Sequence, residues 1–493
     1  MSRLPLWSFA ATLPLLLGAA VALVAACGTD DTGGTPSCAG PTCDGGAGES
    51  GSTDSPSGGD GSVLPDGGDA DGAVPSSCGD GGAPGTLDPS FGDGGMVWLK
   101  YAGSQASGVA VQSDGKLIVV GATQAGFAVI RLLPTGALDP SFGTNGLVTT
   151  SIGNTGFYSA VAVQGDGRIV ATGGAQFNDN RSYDFAVARY LADGGLDPSF
   201  GEAGVATTSF GPGPFQDDYP RSILVQPDGR ILVGGYSETN SVTSTGNFAL
   251  ARYNDDGSLD GTFGNGGKVV IDVQATSDAP GVVALLPGGK IVVAGGTAET
   301  ASASARFDVS AVRLNSDGSI DTSFADAGVL VTNFGTTANS PIRAIAPDTL
   351  GRAILVGRLP NAAVGPDFAA VRIGSTGALD TSFGDGGVVT TDLGSGESSQ
   401  AALIQQDGRL VLAGTTGNDR YTRAIALTRY TSDGTLDPTF GLGGSALTPP
   451  PPNSDLGAEA AALTRCGVVT VGVWIYKDGA VDKGAIGIAH FRR

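Results

Sequence analysis

Apolar positions along most of this chain come in short alternating runs. In Phe185 to Tyr190, Phe, Val and Arg alternate with Ala, Ala and Tyr, the period-two pattern of a half-buried strand. Two further runs precede it, Ser159 to Gln164 and Arg168 to Gly173, joined at Gly165-Asp166-Gly167. Asp-Gly tolerates positive φ and so marks a tight hairpin. The same hairpin returns as VQSDGK at Val111, VQPDGR at Val225, LLPGGK at Leu285 and QQDGR at Gln405. A fourth short run, such as Leu147 to Thr150, opens the unit, which gives four antiparallel strands with no helix of any length.

These units are spaced by a recurring phrase. It reads LDPSFG at Leu87, Leu138 and Leu196, LDGTFG at Leu259, IDTSFA at Ile320, LDTSFG at Leu379 and LDPTFG at Leu436, at intervals of 51 to 63 residues. A constant period of this length marks a repeat architecture. Seven four-stranded units predict an all-β, seven-bladed β-propeller of four-stranded antiparallel blades, a ring that leaves only short protected edges. An open β-solenoid is the alternative, but its coils are usually much shorter. The phrase, the QxDGK/R hairpin, the VxG strand end and the FxVxRY strand recur in fixed order from Leu87 to Arg493, and together they resemble the bacterial delta-60 repeat. That resemblance implies a propeller-type fold and a surface setting, and no reaction.

The last unit ends at Arg493 without another phrase, whereas the phrase at Leu87 has no strand before it. Thr86 to Gly92 is therefore expected to dock beside the final strand and close the seventh blade from the other end of the chain. The propeller is assigned to residues 86–493.

Composition agrees with a turn-rich export product. The 493 residues include 82 Gly without a Gly-X-Y period, and charged residues make up only 15%. With 48 acidic and 27 basic side chains the net charge is −21, which repels phosphate backbones and argues against nucleic acid as a partner. The same charge favours a soluble monomer.

Residues 1–26 read as a leader. Arg3 is followed by an apolar run from Leu4 to Ala26, long enough to span a bilayer, which ends at Val24-Ala25-Ala26-Cys27. That ending resembles the lipobox of bacterial lipoproteins, and the resemblance makes Cys27 the acylated residue of a membrane-anchored lipoprotein. A plain signal peptide or an uncleaved anchor is the alternative. Gly28 is not the Asp that resembles an inner-membrane retention signal, so the outer membrane or cell surface is expected. Residues 27–85 hold almost no large apolar side chain and are expected to be a disordered Gly/Asp/Ser/Pro-rich tether. DGGDADG from Asp66 to Gly72 lacks the spacing of an EF-hand loop and reads as solvated linker.

Beyond Cys27 the cysteines number four, Cys38, Cys43, Cys78 and Cys466, an even count where disulfides are permitted. Cys38 and Cys43 can close a small loop. Cys78 lies close enough to the ring to reach Cys466 at the hairpin of the last unit, and a bond there would staple the closure. A free, buried Cys466 is the alternative.

Strand parity puts the DG hairpins and the phrases on one, constant face and all length variation on the other. Insertions gathered on one face of a repeat array often mark binding. The variable face carries Phe177, Tyr183, Phe210, Phe215, Asp217, Asp218, Tyr219, Tyr236, Trp474 and Tyr476, aromatics beside carboxylates that suit a glycan or a protein ligand. One strand position recurs as Arg131, Arg189, Arg252, Arg313, Arg372 and Arg429, with His490 in the last unit. One phrase position recurs as Asp88, Asp139, Asp197, Asp260, Asp321, Asp380 and Asp437. A residue present in every blade reads as structural, and these are expected to form charge-assisted pairs. A ring of those carboxylates holding Ca2+ is the alternative; otherwise no cofactor or metal is expected.

With one histidine and one cysteine in the blades, a catalytic triad or a zinc site finds little support. Catalytic residues are therefore not assigned. The expected function is a surface-anchored binding scaffold. The alternative is a calcium-assisted hydrolase or lyase acting on extracellular polysaccharide.

Overall fold

The alternating runs form seven four-stranded antiparallel sheets arranged as a β-propeller. The computed structural model describes residues 82–493 except the segments 102–103, 124–125, 178–181, 212–215, 241–244, 274–277, 279–280, 299–306, 333–341, 362–364, 419–421 and 479–480, together with Ala20 and Val21. The leader and tether assigned to 1–26 and 27–85 lie almost wholly outside that set, as do Cys27, Cys38, Cys43, Cys78 and Phe215. None of the described helices is long and apolar enough to cross a membrane.

Blade 1 shows the plan. Gln105–Val111 is innermost, followed outward by Leu117–Thr123, Gly126–Leu132 and the short Leu147–Thr150. The phrase lies between the third and fourth strands. Sequence repeat and blade are thus out of phase by one strand. Blade 7 takes Ala460–Leu463, Gly467–Asp478 and Val481–Arg492 from the end of the chain and its outer strand, Met96–Leu99, from the beginning. Met96–Leu99 pairs antiparallel with Val481–Arg492, from Met96↔Ala489 to Leu99↔Ile486. The expected closure sits just before it: Leu87 bridges Phe491, and Asp88 N–H donates to His490 O at 2.9 Å. Ser454–Leu456 adds to the second strand of this sheet, and Ala20–Val21 runs parallel to the innermost one.

A bulge breaks the innermost strand near its start in blades 1, 2, 3, 5 and 6. The ladder skips Ser107, Ser159, Arg221, Arg343 and Gln400 at the same repeat position. A bulge crowds the backbone onto the facing strand, which explains the VxG strand end. A Cβ on Gly173 would lie 1.8 Å from Phe157 O, and one on Gly472 would lie 1.9 Å from Gly457 O. Only glycine permits that approach.

Between blades the apolar sides of neighbouring sheets interlock. Val109, Val119 and Ile130 of blade 1 share one buried cluster with Val170, Phe185 and Val187 of blade 2. Burial of this kind contributes roughly 25 cal/mol per Å2, and it holds the loops of each face in a fixed ring.

Candidate functional site

The constant face is built from the phrase. In six blades the strand Arg donates Nε–H to the phrase Asp Oδ2 at 2.8–2.9 Å. Its guanidinium carbon stands 4.5–4.7 Å from the centre of the phrase Phe ring, a stacked cation–π contact. A third bond from the same guanidinium crosses to the next blade: Arg131 Nη1 reaches Ala192 O at 2.6 Å, and Arg189 reaches Asp255 O in the same way. The Asp–Arg pair therefore lies within one blade, and the tie between blades is the carbonyl contact beside it.

The hairpin Lys or Arg supplies a second cation. Lys116, Arg168, Arg230, Lys290, Arg352 and Arg409 approach the phrase Asp at 2.9–3.5 Å. Each of these six carboxylates is thus held between two positive groups. In blade 7, His490 Nδ1 faces Asp88 Oδ2 at 3.2 Å and Nε2 faces Thr464 Oγ1 at 2.8 Å. Burial lowers the His490 pKa, against the pull of Asp88, so the ring is neutral at pH 7.

A cavity of about 860 Å3 opens on this constant face, lined by the ends of the innermost strands of blades 2 to 5. Its carboxylates are already engaged. Asp228 pairs with Arg230 at 2.5 Å, Asp348 pairs with Arg352 at 2.5 Å, and Asp317 accepts from Ser319 N–H and Oγ–H.

The variable face is organised differently. Tyr183 and Tyr219 lie with ring centres 5.6 Å apart, Phe157 is 5.7 Å from Tyr183, and Tyr219 stacks on Tyr236 at 5.0 Å. This aromatic ladder spans blades 2 and 3. Asp217 fixes it, accepting from Tyr183 N–H at 2.8 Å and from Tyr219 Oη–H at 2.9 Å. Tyr236 is buried beneath Arg221, whose guanidinium stands 5.7 Å from its centre. A second group joins Trp98, Trp474 and Tyr476 in blade 7, with Lys100 over the last two rings.

Of the residues expected on this face, Tyr183, Asp217 and Tyr219 come together in the ladder. Trp474 is buried, Phe177 and Tyr476 are half-buried, and Phe210 packs against Phe185. Asp218 is fully buried rather than displayed. It accepts from Phe210 N–H at 2.8 Å and caps the turn into blade 3. Phe157, Trp98 and Lys100 were not anticipated, because each sits in or beside a strand rather than in an insertion.

Asp218 has counterparts. Asp278 in blade 4 and Glu397 in blade 6 start the innermost edge at the same repeat position, each opposite a hydroxyl residue: Asp218↔Ser237, Asp278↔Thr297 and Glu397↔Thr416. Burial raises all three, Asp218 to about 7 and Asp278 to about 6. Burial likewise pushes Glu459 to about 7, although Arg343 and Arg423 pull it down. Arg343 interacts with both Arg221 and Glu459, each two blades away, which places these three side chains around the axis.

These groups set a pH dependence with a definite sign. An acid whose folded pKa is raised stabilises the fold below its unfolded value and loses that contribution as pH rises through the folded value. For Asp218, Asp278 and Glu459 the loss falls between about 4 and 7. Asp197 behaves oppositely: burial alone would raise it, but the Ser199 hydroxyl and N–H and the Arg189 charge hold it at about 2. Stability from Asp197 is present above its ordinary value of 3.8 and is lost as pH falls toward 2. His490, lowered by burial, also favours the fold above 6.5 and softens the alkaline loss. Thermal melts are expected to peak near pH 4 and to fall toward pH 7. Asp218→Asn should flatten that decline; an unchanged slope would remove Asp218 from the explanation.

Five segments of the chain match the family described as "Domain of unknown function (DUF5122) beta-propeller": residues 112–142, 164–200, 226–263, 286–324 and 405–440. Each runs from a DG hairpin into a phrase. These five segments are similar to the repeats of that β-propeller family. No curated protein matches the chain in sequence. Among solved structures, a catalytically inactive virginiamycin B lyase from Staphylococcus aureus with quinupristin is 11% identical, covering 80% of this chain and 98% of its own, with a TM-score of 0.43. A polysaccharide lyase of family PL25, an ulvan lyase, is 10% identical over 80% of this chain and 96% of its own, with a TM-score of 0.49. An α-L-arabinofuranosidase from Fusarium graminearum is 11% identical over 71% and 96%, with a TM-score of 0.41.

Proposed function

We propose that this propeller is an envelope-anchored binding module, held through an acylated Cys27, whose variable face takes a glycan. The ladder of Phe157, Tyr183, Tyr219 and Tyr236 carries the reading. An aromatic ring presents its electron-rich face to the C–H groups of a sugar, and the neighbouring carboxylate of Asp217 can accept from sugar hydroxyls. The sheets beneath hold both parts rigidly, so little ordering entropy opposes binding. The constant face, by contrast, is occupied by contacts that repeat in every blade. Cys78, as the partner of Cys466, would join the tether to the same ring.

The test is a glycan array probed with the full chain, followed by titration of the strongest hit. Tyr219→Ala and Asp217→Asn are each expected to weaken binding about tenfold, a change of about 1.4 kcal/mol. Melting curves verify that the ring survives. Absence of glycan binding, or undiminished affinity in Tyr219→Ala, would overturn the assignment, and a chain recovered without an acyl group on Cys27 would overturn the anchor.

A further inference from the structure

The junction between blades 5 and 6 brings three carboxylates together on the variable face. Asp367 lies on the third strand of blade 5, Gly365–Ile373. Asp392 follows its outer strand, Val388–Thr391, and Glu397 begins the innermost strand of blade 6, Glu397–Ile404. One oxygen from each lies within 4.8 Å of the other two. Two oxygens bound to one ion at about 2.4 Å, a calcium distance, can be at most about 4.8 Å apart. Three oxygens so placed lie within about 2.8 Å of a common point, so a shift of a few tenths of an ångström brings all three to a calcium distance of about 2.4 Å.

A cluster of acids on a surface is ordinarily solvated and needs no ion. Glu397 differs, being only 1% exposed. Its Oε1 accepts from Ser395 N–H and Thr416 Oγ–H, each at 3.0 Å. Its Oε2 is buried without a well-formed hydrogen bond, the Leu393 N–H being a weaker donor to the same carboxylate. A buried, unsatisfied carboxylate oxygen beside two further carboxylates is costly unless a cation or proton joins it.

Other junctions serve as internal comparisons. The corresponding trio between blades 2 and 3 is Asp184, Ser209 and Asp218, and between blades 3 and 4 it is Asn247, Asp272 and Asp278. Each has a neutral residue in place of one acid. Among the described residues, three acidic side chains bring oxygens within 4.8 Å of one another only at the junction of blades 5 and 6. The phrase carboxylates are a poorer choice for Ca2+, because six of the seven already lie between two cationic side chains and Asp88 faces His490 and Arg492.

We infer that Asp367, Asp392 and Glu397 form a site for a calcium-class cation that pins blade 5 to blade 6. Three carboxylates would supply between three and six of the roughly six to eight oxygens such an ion takes, the remainder coming from water or backbone. This site is independent of the glycan reading and survives its failure.

The full chain, dialysed against EDTA, is titrated with CaCl2 by calorimetry and by thermal melting. Saturable binding of one ion at about 0.1–1 mM is expected, the range of extracellular calcium modules, with a matching rise in Tm. Asp392 is exposed, so Asp392→Asn should leave the fold intact and weaken binding by at least about tenfold through the lost ligand charge. Glu397→Gln should do the same, whereas Asp218→Asn should bind Ca2+ as the parent does. No calcium-dependent heat or Tm shift, parental affinity in Asp392→Asn, loss of affinity in Asp218→Asn, or equal affinity for MgCl2 would each overturn the site.

Discussion

Arg189→Ala is expected to destabilise the ring by about 3–5 kcal/mol, the range for breaking a buried ion pair from one side. The side chain is 1% exposed and does four things at once. Its Nε–H donates to Asp197 at 2.8 Å, Nη2 to Ser199 Oγ at 3.1 Å and Nη1 to Asp255 O in the next blade, while the guanidinium stacks on Phe200. Alanine would leave Asp197 buried with Arg168 as its remaining cation and would open a void above Phe200. Melting should fall by about 3–6 °C, the unfolding entropy of so large a ring keeping the shift small. Arg189→Lys keeps the charge but not the planar fork, so it should recover only part of the loss. Arg168→Ala removes the other, more exposed cation on Asp197 and should cost no more than about 1 kcal/mol. Equal effects at Arg189 and Arg168 would show that the buried geometry contributes nothing.

A chain lacking residues 82–99 is expected to lose its sharp melting transition and to aggregate. Those residues supply the outer strand of blade 7 and the contacts before it, including Gly85 N–H to Arg492 O at 2.9 Å and Gly441 N–H to Pro84 O at 2.8 Å. Without them the edge of Val481–Arg492 is left open, and an unpaired sheet edge recruits other chains. Asp88 and Phe91 would also leave His490 without its carboxylate and its ring neighbour. Cys466 is disulfide-bonded and is the only cysteine among the described residues, so its partner lies outside them. Reduction should loosen the same region by about 2–4 kcal/mol. Scanning calorimetry with light scattering distinguishes these outcomes; a deletion that melts like the full chain would refute the role assigned to the closure.

Blade count, the four strands of each unit and the Asp–Arg pairing were legible because each rests on residues that recur in register with the phrase, whereas the strand after the phrase closes a blade rather than opening one. Leu87 without a preceding strand, set against Arg493 without a following phrase, was enough to indicate how the ring closes. The bulge was not legible. It inserts one residue into an apolar run, as at Arg221 or Gln400, without breaking the run, and only the facing glycine hints at it. The shared position of Asp218, Asp278 and Glu397 was hidden by the unequal loops before them, which shift the acids relative to the repeat. Asp218 consequently reads as a displayed carboxylate when it is a buried cap. Phe157 and Trp98 escaped notice because a strand residue at a rim and one in a core follow the same alternation. What the sequence conveys poorly is the meeting of side chains from neighbouring blades, and the ladder and the carboxylate trio are both of that kind.

The one-strand offset between repeat and blade gives the ring a single seam. Six blades are each made from one continuous stretch of chain; the seventh is sewn from both ends. During synthesis Met96–Leu99 is made early and must wait, unpartnered, until Val481–Arg492 follows it nearly four hundred residues later. Closure is then a long-range event with a slow, late barrier. In reverse, parting Met96–Leu99 from Val481–Arg492 is the step through which the ring would begin to open, so the lifetime of the folded molecule is governed at that seam while its equilibrium stability is shared among all seven blades.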